Sequence, residues 1–249
     1  MRKLVLTACT ALGMMAQSVD PAMLLKPPAD SWPTYHGDYT GQRHSKLSQI
    51  TPANVYQITL AWAFQTNQGQ QIKASPIVVN GVIYVTTPDN LWAVDARTAR
   101  QLWKYSYPMN DGFHIGHRGA AVYKDSVFLS TPDAHLVALN ARDGSVKWNV
   151  VMGDSKRGYW SSNAPLLIRN HLIVGLSGDF DNLPGVLRSF DPDTGKAQWT
   201  FNSTLPSGTP GSTACPLLRK LPRRKTCVAR GFGNSDITSV VVGANSISC

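Results

Sequence analysis

Glutamate is missing altogether: all fifteen acidic residues of this 249-residue chain are aspartate. Any chemistry that needs a glutamate is therefore excluded. With 16 prolines and 20 glycines present, the loss of a good helix former also argues against a helical protein. Charge is sparse as well, at 16% of residues, against roughly 25% in an average soluble protein. Disordered chains and coiled coils run charge-rich, so both are excluded. Cysteine is absent from residues 19–213, the four copies being Cys9, Cys215, Cys227 and Cys249. That body holds neither a disulfide scaffold nor a thiolate metal centre. Long hydrophobic runs are also lacking. The stretch from Leu4 to Ala16 is too short to span a bilayer, so no transmembrane segment is expected.

What is present at the two ends has a simple reading. Arg2 and Lys3, the apolar run and Ala16-Gln17-Ser18 make residues 1–18 a secretory signal peptide, which implies a periplasmic address. The formal net charge of +9 is concentrated at the other end. Arg219, Lys220, Arg223, Arg224, Lys225 and Arg230 face a single acid there, Asp236, whereas the rest of the chain holds eighteen bases and fourteen acids. So mild an excess in the body gives no reason to expect a nucleic-acid partner. Residues 214–249 are expected to be a basic tail outside the repeat, either non-native sequence or disordered.

Between these ends a repeat organises the chain. Ala93-Val-Asp95-Ala-Arg-Thr98-Ala99-Arg-Gln-Leu-Trp103 returns as Ala138-Leu-Asn140-Ala-Arg-Asp143-Gly144-Ser-Val-Lys-Trp148, and again as Ser189-Phe-Asp191-Pro-Asp-Thr194-Gly195-Lys-Ala-Gln-Trp199. Trp62 reads as the end of a fourth, degenerate copy. The tryptophans lie 41, 45 and 51 residues apart, the spacing of a propeller blade. Each period contains four runs of strong strand formers separated by turn residues, such as Pro76–Val79 and Val82–Thr86 around Asn80-Gly81. The expected fold is all-β: a partial β-propeller of four-stranded antiparallel blades over residues 19–213, about three blades plus an outer strand of another. The tryptophans should wedge between neighbouring blades, and Gly144 and Gly195 should supply positive φ in the turns.

Antiparallel pairing puts the long connections from the outermost strand of one blade to the innermost strand of the next on a single face. Such loops on a rigid scaffold are where binding residues gather. Their last residues are Lys73, His117-Arg118 and Ser162-Asn163, and the loop Ser177 to Gly185, with Asp179 and Asp181, reaches the same face. Bases and hydroxyls converging on one mouth suit an anionic ligand. Two readings of Arg118 stay open, a ligand contact or an ion pair with an aspartate of a neighbouring blade. His114 and His117 form an H-x-x-H pair, which without a third ligand is weak evidence for zinc.

The stretch Trp32-Pro-Thr-Tyr35-His-Gly37-Asp38, with Arg43-His-Ser45, Ile50-Thr51 and Asn54-Val55, resembles the opening of quinoprotein alcohol dehydrogenases. These are eight-bladed propellers that bind pyrroloquinoline quinone and a calcium ion. The resemblance runs from about Trp32 to Ser212. It implies that Arg118 lies against the quinone's carboxylates and carbonyls, and that Ser162 stands for a cofactor-bonding threonine. It further implies that Lys73 replaces a quinone-bonding glutamate, with His117 beside the same cofactor. Gly112-Phe113 stands where the family has a vicinal cysteine pair. Phe180 falls at the calcium-ligating glutamate, leaving Asp179 and Asp181 as substitute metal ligands. The chain then corresponds to the N-terminal part of a periplasmic dehydrogenase. Its substrate would be an alcohol or sugar, and its electrons would go to a periplasmic acceptor such as a cytochrome c or a quinone. Lacking the family's catalytic half, the chain is expected to be inactive alone. The alternative is a non-enzymatic propeller of the same repeat, serving as a binding or assembly scaffold.

Overall fold

In the computed structural model, residues 19–67, 72–109, 116–178 and 183–203 are described. The expected signal peptide over residues 1–18 and the expected tail over residues 214–249 lie outside them, as do Asp179 and Asp181. Three four-stranded antiparallel sheets follow one another along the chain. The first contains β1 (Ile77–Val79), β2 (Val82–Thr87), β3 (Asn90–Asp95) and β4 (Gln101–Ser106). The second contains β5 (Ala121–Tyr123), β6 (Ser126–Ser130), β7 (His135–Asn140) and β8 (Val146–Val151). The third contains β9 (Leu166–Ile168), β10 (His171–Leu176), β11 (Val186–Phe190) and β12 (Ala197–Asn202). Within each sheet the strands lie in sequence order, as expected for meander blades of an all-β partial propeller.

The repeated residues explain why each blade closes the same way. Asp95 Oδ1 accepts the backbone N–H of Arg97 and Thr98 at 2.9 and 3.0 Å, and Asp191 does the same for Asp193 and Thr194 at 3.0 and 2.9 Å. Asn140 accepts from Arg142 at 2.9 Å. Each side chain thus substitutes for the missing backbone partners of the turn between the third and fourth strands. A one-residue register shift precedes every such turn and increases the local twist of the outer strand.

Neighbouring blades dock through tryptophan. The Trp103 indole N–H donates to Ala141 O in the next blade at 2.9 Å, and the ring lies so close to Gly144 that a Cβ there would fall 2.6 Å from it. Trp148 meets Gly195 in the same way, at 2.9 Å. Trp62 donates to Ala96 O at 3.2 Å, and the chain around it alternates between exposed and half-buried residues, as an extended strand lying on the first blade should. Trp103 is 7% exposed, but Trp199, with no described blade against it, is 38% exposed. The core is therefore continuous from blade to blade, and the outer strands carry the exposed residues.

The opening segment crosses the inner strands. Val19 bridges Lys124, Trp32 bridges Val78, and the Tyr39 hydroxyl donates to Leu167 O. One stretch of chain thereby touches the innermost strand, or its hairpin, in all three blades. It covers strand edges that would otherwise stand unpaired.

Candidate functional site

The three junctions that lead into β1, β5 and β9 are joined by main-chain hydrogen bonds. The Ser75 N–H donates to Arg118 O at 3.1 Å, and the Arg118 N–H donates to Ser162 O at 2.9 Å. Lys73, Arg118 and Ser162 thus come from three different blades to one mouth, although 45 and 44 residues separate them in sequence. The Lys73 side chain is exposed at its end, and its stem runs across Gly116, where a Cβ would lie 2.4 Å from Lys73 Cδ. A side chain at 116 would force the Lys73 stem to shift. Gly119 has φ +137, and a Cβ there would sit 3.1 Å from Ser75 O, so the turn after Arg118 requires glycine.

Arg118 is half-buried, and its Nε is out of reach of water and has no hydrogen-bond partner among the described residues. A buried unmet donor costs about 1–3 kcal/mol. The two ion pairs among the described residues are Lys124–Asp193 and Lys147–Asp125, each at 2.8 Å. The ion-pair reading of Arg118 therefore finds no aspartate among the described residues, and its charge is unpaired among them. Arg43 adds to that charge: its Nη2 donates to Ser75 Oγ at 2.8 Å, while the guanidinium lies 5.0 Å from the centre of the Tyr35 ring. Sequence reasoning missed Arg43 as a site residue, because nothing local in residues 41–47 says that this stretch returns to the start of β1.

His117 occupies a different place from the one expected. It is 1% exposed and turned into the protein. Its Nδ1 lies 2.9 Å from Thr86 Oγ1 and accepts the Gly119 N–H at 3.1 Å, while its Nε2 lies 3.2 Å from Ser130 Oγ. Both ring nitrogens are thus used internally, which corrects the reading of His117 as a group facing a cofactor. Burial, reinforced by the neighbouring Arg118 charge, holds its pKa down at about 4. Thr86 and Ser130 end apolar strand runs, and that polar ending was the only sequence signal for them.

A cleft of about 200 Å³ lies between the opening segment and the inner strands, lined by Tyr39, Ala121, Val122 and Leu166 among others. Its lining includes none of Lys73, Arg118 or Ser162, so the charged mouth and this cleft are separate features. Among the described residues, no group of three or more His, Cys, Asp or Glu is placed to hold a metal ion. No described helix is long and apolar enough to cross a membrane.

Residues 32–216 match the family described as glucose/ethanol/alcohol dehydrogenase, beta-propeller domain. The quinoprotein ethanol dehydrogenase of Pseudomonas putida is 37% identical over 173 residues, covering 64% of this chain and 27% of that protein. A 1-butanol dehydrogenase (quinone) of Thauera butanivorans is 38% identical over 181 residues, covering 67% of this chain and 29% of that one. The solved quinohemoprotein alcohol dehydrogenase of Pseudomonas putida HK5 superposes with a TM-score of 0.71 at 32% identity, over 76% of this chain and 29% of its own. The chain thus spans less than a third of the length of the relatives it matches. With its blades, its tryptophan docking and its cationic mouth in place, the chain belongs to the pyrroloquinoline quinone-dependent alcohol dehydrogenase β-propeller family.

Proposed function

We propose that this chain supplies the carboxylate-gripping part of a quinone site in a periplasmic dehydrogenase that oxidises an alcohol or sugar, and that it does not turn over alone. The observation that carries this reading is the clamped Arg118. Its backbone is bonded on both sides to neighbouring junctions, while no aspartate among the described residues pairs with its guanidinium. A carboxylate or carbonyl at the mouth would bond the guanidinium, whose planar fork suits such a group through paired hydrogen bonds. Lys73 adds a point charge, and Ser162, only 5% exposed, contributes through its carbonyl oxygen, which holds the Arg118 N–H. When bound, pyrroloquinoline quinone supplies a two-electron acceptor for the hydrogen removed from the substrate. The chain's own residues bind and orient it. Electrons would then pass to a cytochrome c or a quinone. Calcium stays outside the proposal, since its assigned ligands Asp179 and Asp181 flank Phe180 at the position of the family's glutamate.

Quinone titration followed by quenching of tryptophan fluorescence tests the reading. The purified chain should bind saturably, and Arg118→Ala and Lys73→Ala should each weaken binding at least about tenfold, since charge-assisted bonds contribute roughly 1.5–3 kcal/mol. Unchanged affinity in both variants, or no binding by the unmodified chain, overturns it. Dye reduction with quinone and ethanol should stay at background, and turnover by the chain alone would refute its dependence on further blades.

A further inference from the structure

We infer that His117 is a positioning residue, which acts through Arg118 by holding the turn that carries it and tying that turn to the two neighbouring blades. The inference rests on the quinone-site reading for its functional consequence, but its geometry stands apart from that reading. The Gly119 N–H can only donate, so Nδ1 must be the acceptor of that 3.1 Å bond. In the neutral ring the proton then sits on Nε2, which donates to Ser130 Oγ at 3.2 Å. Ser130 is free to pass its own hydroxyl proton on, and it donates to Asn163 O at 2.6 Å. Every donor and acceptor along this line is consistent with one tautomer.

The line connects what Arg118 needs. Thr86 at the end of β2 lies 2.9 Å from Nδ1, so the ring touches the first blade. Ser130 ends β6 in the second blade. Asn163 lies at the junction into β9, and its side chain and that of Ser161 both donate to Gly175 O, at 3.1 and 3.0 Å, which anchors that junction on β10. The residue between them, Ser162, receives the Arg118 N–H. One imidazole therefore sets the Arg118 backbone against Ser162 by a second route besides their direct main-chain bond. Thr86, Ser130, Asn163 and His117 are all buried, so water cannot substitute for any member.

The bond from the Gly119 N–H to a side-chain acceptor two residues earlier has the geometry of an Asx turn. Asparagine at 117 should therefore keep the turn, whereas phenylalanine should fill the space and keep nothing else. Hydrogen exchange in the unliganded chain should show Gly119 and Arg118 amides exchanging about tenfold faster in His117→Phe than in the unmodified protein. His117→Asn should stay within about threefold. Quinone affinity should follow the same order, lost by about tenfold in the Phe variant and rescued by Asn. Equal amide protection in the Phe variant and the unmodified chain, or failure of Asn to rescue a folded protein, overturns the proposal. Should the Phe variant not fold, ring nitrogen shifts of the unmodified chain decide by NMR: an Nε2–H tautomer supports the network, and an Nδ1–H tautomer overturns it. Absence of quinone binding by the unmodified chain would sink the quinone reading, while the exchange comparison would still judge the positioning role.

Discussion

Gly144→Ala should destabilise the protein far more than Gly81→Ala, although both glycines have φ +74. A Cβ at Gly81 meets nothing within 4 Å, so that change adds only the left-handed backbone strain of an L-residue, about 1 kcal/mol. At Gly144 the new methyl would lie 2.6 Å from Trp103 Cε3 and 2.9 Å from Cδ2. The indole is 7% exposed and holds its N–H on Ala141 O at 2.9 Å, so it has little room to retreat. Overpacking of this kind adds about 1–3 kcal/mol, giving about 2–4 kcal/mol in all. For a folded body of this size, each kcal/mol moves the midpoint by roughly 2–4 °C. Melting followed by circular dichroism should therefore fall by about 2–4 °C for Gly81→Ala and by about 4–16 °C for Gly144→Ala. Gly195→Ala should fall between them, because the Trp148 ring it meets at 2.9 Å is only half-buried. Equal shifts for Gly81 and Gly144 would refute the view that the tryptophan–glycine contact holds blade to blade.

Acid should act through His117. Its folded pKa of about 4 lies below the ordinary 6.5, so the unfolded chain takes the proton first. Stability is therefore full above pH 6.5 and falls as the pH drops toward 4, by about 3 kcal/mol for this group. Urea midpoints for the unmodified chain and His117→Asn should diverge across that window, and parallel curves would contradict it. Ala99→Gly relieves a non-glycine residue at φ 59 in the socket position of the first blade. It should change the melting midpoint little or raise it by about 2 °C, and a clear loss would show that the methyl packs usefully. Asp193→Ala, which breaks the exposed pair with Lys124, should cost less than about 1 kcal/mol in chemical denaturation.

Much of the architecture could be read from the chain because propeller order is local. The Asp or Asn, the turn glycine and the tryptophan recur within eleven residues, and each acts on its own turn or on the blade that follows. Expected strands such as Val82–Thr86 and Val186–Phe190 match the observed ones within a residue. The meeting of Lys73, Arg118 and Ser162 was legible for the same reason, since each ends an equivalent junction of the repeat. The roles within the mouth were decided only in three dimensions. His117 and Arg118 are adjacent and both polar, and no periodicity says that one turns inward to Thr86 and Ser130 while the other stays half-buried with no ion-pair partner among the described residues. Arg43 reaches Ser75 across 32 residues because the opening segment folds back over the inner strands, a path set by long-range strand pairing at Trp32 and Val78. Repeats are dictated by neighbours in sequence, whereas the charge and hydrogen bonds of the mouth depend on which distant backbones come to lie side by side.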